Sequence, residues 1–365
     1  MSSVFPLQLP VKTKPSSAHT DIIILGGYDV YKGPRNLDPA VVSGAQWPVN
    51  EPLAVVPAMA AATKNIGFGV TVTTTYEQPY HLARRLSTVD HLTKGRLGWN
   101  HDDRYAVAEE YVKVTYKLWE SSWRQDAVVR DRERGVYTET DRVRQINHSG
   151  KYFNVPGPHL TQPSPQRTPV ILQAGTSKAG KTFAAQHAEA IFVAGHSPSV
   201  VAKNVAEIRQ LAQSEFGRDP QSIKFLALLC LSAVEGWSKA TPEVAKWTKA
   251  TVGEHITVGG LGATPVGTPQ QVADNMEKWV KEADVDGFNL AYAIKPGSFK
   301  DIIDLLIPEL RKRGLFWDEY AVQKGTYREN LYSRPGQSGP PADHPAARYR
   351  WQAGVDAADH PVPEN

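Results

Sequence analysis

The sequence predicts an α/β fold made of repeated strand–helix units, and three stretches carry that prediction. Thr168 to Gly195 runs as an apolar strand, a small-residue turn, a helical pattern and a second apolar strand, which is one β/α repeat of a parallel sheet. Ile66 to Asn100 repeats the scheme with the β-branched run IGFGVTVTTT, a helical stretch from Pro79 and the short strand Arg96–Asn100. Ile223 to Leu290 supplies a third pass: IKFLALLCL, a helix capped by Thr268 with Pro269 at its first position, and the strand DGFNL. At 365 residues the chain has room for one large domain. A (β/α)8 barrel of about 250 residues with insertions fits it.

The remaining elements follow in order. Asp21 to Leu25 reads as a strand, followed by a polar loop in which Tyr28, Asp29 and Tyr31 stand where a barrel places its working groups. Glu51 to Ala62 is a helix with Leu53, Val56, Met59 and Ala60 on one face. The helix from Pro79 carries His81, Arg84 and Arg85, and Arg104 to Trp119 repeats apolar residues at helical spacing. An excursion at about 126–168 has a charged front half, with Arg130 to Arg134 read as solvated, and a Pro-rich back half. Ala190–Ala194 is the next strand, with a helix from Ser197 or Pro198 toward Phe216, and a final helix runs from Phe299 to Arg311.

The two ends fit the scheme less well. Within residues 1–20 only VFPLQLPV could serve as a first strand, and its prolines argue against a central one. That segment either closes the ring irregularly or leaves it open. Residues 332–365 are rich in Pro, Gly, Ala and Asp and read as a flexible tail. The expected organisation is therefore an irregular or disordered 1–20, a barrel domain over 21–331, and the tail.

Composition narrows the function classes. A net charge of +3 without a basic, aromatic-interleaved block argues against nucleic acid. Cys230 stands alone, which rules out an internal disulfide framework, and no apolar stretch reaches membrane-spanning length. No spacing of His, Cys and carboxylates suggests a metal site. A cytoplasmic enzyme is the expectation.

The turn after Leu172 has a chemical reading of its own. Gly175 permits a tight turn, Thr176 and Ser177 can cap the next helix or donate to an anion, and Lys178 adds positive charge at the helix N-terminus. The same residues also suit an ordinary N-cap with a surface lysine.

This turn, together with Glu51–Asn100, His101–Trp123, Gly150–Gly180, Val266–Leu290 and Arg313–Leu331, resembles the bacterial luciferase-like flavin monooxygenases. The similarity is greatest to the nitrilotriacetate and dibenzothiophene-sulfone branch. The resemblance implies a TIM barrel, reduced FMN from a separate flavin reductase, and O2 used to oxygenate a small organic substrate, in a homo-oligomer. It places the FMN phosphate on Gly175, Thr176, Ser177 and Lys178, with the Tyr105 hydroxyl beside it. Asn100 and Thr73 or Thr75 would meet the ring or ribityl chain, and Asp21 matches the aspartate after the family's second strand. His101 and His81 are the candidate catalytic histidines.

Measured against that family the chain is shortened. A first strand is lacking, Trp99–Asn100 runs directly into His101–Asp102–Asp103–Arg104–Tyr105 where about twenty more residues are expected, and the insertion after Leu231 is brief. These losses support one alternative, a non-catalytic or truncated relative acting as a scaffold or partner subunit; a second, a deazaflavin-dependent oxidoreductase, follows from the shared barrel, and the nitrilotriacetate-like motifs argue against it.

Overall fold

The computed structural model describes residues 7–10, 22–24, 50–102, 105–175, 177–231, 262–292 and 297–363. Eight strands form a closed barrel. In chain order they are β1 (Leu7–Pro10), β2 (Ile22–Ile24), β3 (Phe68–Thr73), β4 (Leu97–Asp102), β9 (Val170–Ala174), β10 (Ala190–Val193), β11 (Lys224–Leu231) and β12 (Gly287–Tyr292). Two small hairpins fill the excursion: β5 (Val128–Asp131) with β6 (Val136–Thr138), and β7 (His148–Ser149) with β8 (Asn154–Val155).

Seven barrel strands are parallel. The eighth, β1, is antiparallel to both neighbours, pairing Leu7–Pro10 with Leu290–Gly287 and Leu7 with Ile22. The ring is thus closed, by the irregular route. A parallel first β/α unit is replaced by a short antiparallel strand, which needs no crossover helix to reach its neighbour. Its proline is tolerated because Pro10 ends the strand, where the missing N–H removes no interior ladder bond.

The helices are α1 (Pro52–Ala61), α2 (Pro79–Thr93), α3 (Tyr105–Tyr116), α4 (Lys178–His187), α5 (Pro198–Phe216), α6 (Pro269–Ala283), α7 (Gly297–Asp301), α8 (Ile307–Lys312) and α9 (Tyr327–Tyr332). Their starts follow local chemistry. Glu51 accepts from Ala54 N at the head of α1, and Thr268 and Gln271 form a reciprocal capping box at α6. The helix expected over Arg104–Trp119 ends instead in a π turn, Lys117–Ser121, whose five residues are all buried.

Strand alternation separates a helix-side core from the bore. Leu97 and Trp99 pack with Tyr111 and Trp119 on the helix side, as do Phe225, Ala227, Phe288 and Leu290 with α5 and α6. Val170, Leu172, Ala190 and Leu226 face inward and meet Tyr327, Leu331 and Tyr332 of α9. This short helix plugs the amino-terminal floor of the barrel. The approach is close enough to require glycine at 98, where a Cβ would lie 2.8 Å from the Tyr327 ring.

Arg328 anchors the plug. It is fully buried and grips the equally buried Glu189 with two 2.7 Å hydrogen bonds, while also donating to the carbonyls of Thr168 and Ser338.

The expectation of a flexible tail after Leu331 is overturned. His344, Ala346, Tyr349 and Trp351 are buried, with the 3₁₀ turn Pro345–Tyr349 against the π turn. Trp351 N donates to Glu120 O at 3.0 Å, and Arg350 Nε donates to the buried Glu120 carboxylate at 2.8 Å. Low-complexity composition misled here because a few aromatic anchors suffice to hold an irregular segment down.

Candidate active site

The parallel strands deliver their carboxyl ends to one mouth, where barrel enzymes carry their chemistry. At β9 the chain stays buried through Gln173, then emerges at Ala174. Gly175 adopts φ +122°, a conformation that side chains disfavour, and nothing lies within 4 Å of where its Cβ would point. Ser177 is the N-cap of α4, its Oγ accepting from Gly180 N at 3.1 Å. Gly175, Ser177, Lys178 and Ala179 are all exposed. The first turn of α4 carries no acidic residue, and Lys178 has no ion-pair partner among the described residues, whereas Lys181 is taken by Glu207 at 2.6 Å. A helix N-terminus beside an ammonium without an ion-pair partner among the described residues has the chemistry that favours an anion. Thr176, expected in this seat, lies outside the described residues.

Asn100 and Thr73 line the bore below that seat. Asn100 is 5% exposed and faces inward, since Leu97 and Trp99 pack on the helix side. Its Nδ2 donates to Thr71 Oγ1 at 3.0 Å, and its Oδ1 has no hydrogen-bond partner among the described residues. A buried acceptor left in this state costs about 1–3 kcal/mol, which a bound donor would recover. Thr73 is half-buried at the end of β3, its Oγ1 accepting from Thr75 N at 3.2 Å, while Thr75 itself is exposed.

Of the remaining candidates, His81 is not brought into this group. His81 is exposed on α2, in a groove between α1 and α2 that shares no lining residue with the bore. His101 occupies the β4 position opposite Val72 and Gln173, one residue beyond Asn100 and hence at a helix-side register position. Tyr105 begins α3. The side chains of His101 and Tyr105 lie outside the described residues, as does Asp21.

Beside Lys178 a cleft of about 480 Å³ is walled by Glu109, Thr182, Phe183 and Gln186. Glu109 receives 2.8 Å and 3.1 Å hydrogen bonds from His187 and Gln186 and an ion pair from Lys113. Burial works to raise its pKa, and the hydrogen bond and charge of His187, with Lys113, outweigh it and hold the carboxyl down at about 2. A depressed carboxylate stabilises the fold above the unfolded-chain value of 4.5, and that contribution disappears as the pH falls toward about 2. Glu109→Gln is therefore expected to lower the melting temperature at pH 7. Thermal melts across pH should show the gap from wild type shrinking between pH 4.5 and about 2; a constant gap would remove Glu109 from this role.

A closed α/β barrel with an exposed, lysine-bearing helix start after β9 and a polar, inward-facing wall has the layout of a barrel enzyme that works at its mouth. The chain belongs to the luciferase-like monooxygenase family, whose sequence model matches residues 40–255. It is 43% identical to the long-chain alkane monooxygenase of Geobacillus thermodenitrificans (strain NG80-2), over 90% of this chain and 86% of that protein. The dimethyl-sulfide monooxygenase of Hyphomicrobium sulfonivorans is 41% identical, over 90% of this chain and 82% of the relative.

Among solved structures, riboflavin lyase with modified FMN and riboflavin superposes with a TM-score of 0.80 at 31% identity, covering 90% of this chain and 88% of that chain. Nitrilotriacetate and dibenzothiophene-sulfone monooxygenases, whose motifs the sequence resembles, are relatives too. By class the chain is a flavin-dependent monooxygenase. The alignment to the alkane monooxygenase runs over 382 positions, more than the 365 residues here, so that relative carries segments this chain lacks.

Proposed function

We propose that the chain is the oxygenase of a two-component system, taking reduced FMN from a separate flavin reductase and using O2 to oxygenate a small organic substrate. The observation that carries the reading is the anion seat at the head of α4, open and cationic at the mouth of the barrel. The terminal phosphate of FMN would rest on Gly175, Thr176, Ser177 and Lys178, with Tyr105 beside it. The orphaned Asn100 Oδ1 and the Thr73 hydroxyl suit the polar atoms of the ribityl chain and ring. Reduced flavin supplies the electrons that activate O2 for transfer of one oxygen atom to the substrate. The chain's own part is to fix orientation and exclude water, and the α9 floor closes the bore from below.

Lys178→Ala tests the seat. Flavin fluorescence titrations should show FMN binding weakened about 10-fold, the value of one charge-assisted contact. Riboflavin, which has no phosphate, should bind wild type and variant alike. Equal binding of FMN to both proteins would refute the seat, and no flavin binding at all would favour a non-catalytic relative.

A further inference from the structure

Across the bore from Asn100 stands a second buried amide. Asn289 on β12 is 8% exposed, and its neighbours Phe288 and Leu290 belong to the helix-side core, so Asn289 faces inward. Its strand partner on β11 is Leu228. Like Asn100, it has an Oδ1 without a hydrogen-bond partner among the described residues. Around the ring the order β12-β11-β10-β9-β4 places Asn289 four strands from Asn100, on the opposite wall of an eight-stranded barrel. Two buried amides, each with an idle acceptor, thus face one bore. Buried side-chain carbonyls are ordinarily satisfied, and two left open in one cavity point to a ligand rich in N–H donors.

Position decides which donor each would meet. The anion seat follows β9, which is adjacent to β4 and three strands from β12. A flavin held there by its phosphate would run its ribityl chain past Asn100 and reach toward β12 with its far edge. The dimethylbenzene edge of the ring has no donor, whereas the pyrimidine edge has one imide N–H flanked by two carbonyls. An asparagine amide matches that edge, accepting from the N–H and able to donate to a carbonyl. We propose that Asn289 is a flavin-binding residue that accepts a hydrogen bond from the imide N3–H of the pyrimidine edge. The inference rests on the flavin reading above and deepens it by fixing which way round the ring enters the bore.

The test uses the full chain, titrated anaerobically with reduced FMN and with reduced N3-methyl-FMN, which has no imide donor; binding is followed by equilibrium dialysis. Wild type is expected to bind FMN at least about 10-fold more tightly than the methylated analogue, since a polar site rejects a ligand that leaves it unpaired. Asn289→Leu, similar in size, is expected to lose about 10-fold in FMN affinity and to stop discriminating between the two flavins. Asn100→Leu should weaken both flavins and keep the discrimination. Wild type binding both flavins equally overturns the Asn289 assignment and leaves the flavin reading standing. Discrimination that persists in Asn289→Leu also overturns it, because another residue then reads N3. Wild type binding neither flavin removes the flavin reading itself, and this inference with it. The wild-type comparison stands even if a variant fails to fold.

Discussion

Arg328→Met is expected to cost about 3–5 kcal/mol of stability, the cost of breaking a buried ion pair from one side. The substitution leaves the Glu189 carboxylate fully buried, with its two 2.7 Å guanidinium bonds gone and Ile171 N still donating at 3.2 Å. It also frees the carbonyls of Thr168 and Ser338, to which the same guanidinium donates. The floor of the bore should loosen first, because Arg328 lies between Tyr327 and Leu331, which pack on Val170, Leu172 and Leu226. Chemical denaturation measures the loss directly. Pairing the change with Glu189→Leu should recover a good part of it, since the isolated charge rather than the absent pair causes most of the damage. A single variant within 0.5 kcal/mol of wild type would show that the plug is held by its apolar contacts alone.

Trp351→Ala should have a comparable effect, about 3–5 kcal/mol for emptying a fully buried indole site. Trp351 is 0% exposed, its ring lies under the Arg144 guanidinium at 4.2 Å, and its Nε1 donates to Val355 O at 2.8 Å. Its backbone bonds to Glu120 O and Gln125 N tie the segment to the π turn, where Glu120 also holds Arg350 and Thr168. A chain ending at residue 343 should show a larger drop in melting temperature than Trp351→Ala, because Glu120 then loses Arg350 as well. Unchanged melting in both proteins would restore the view of this segment as an appended tail.

Much of the barrel was legible because its signals are local. Val170–Ala174 is an apolar run closed by a glycine, and α4 and α6 begin at Ser177 and Thr268, each of which makes the side-chain cap its residue type favours. Thr268–Pro269 marked the helix start to the residue. The closing strand Leu7–Pro10 was illegible for the opposite reason: four residues containing a proline carry no periodicity, and only Gly287–Leu290 gives them a ladder.

The candidate site divides in the same way. The Gly175–Lys178 turn stands at a strand end that the sequence marks, whereas Asn100, expected to end its strand, lies two residues inside β4, which runs on to Asp102. Asn289 becomes notable only once alternation and strand order show which wall it occupies. The Arg328–Glu189 pair spans 139 positions, and no window of sequence contains both.

That long span bears on synthesis at the ribosome. Arg328 must meet Glu189, the Thr168 carbonyl and the Gln166 side-chain amide, all made far earlier, and Ser338 must follow before the last of those bonds can form. Until then the apolar ring of Val170, Leu172 and Leu226 has no lid beneath it, so a nascent or prematurely stopped chain would offer that surface to chaperones or to its own kind.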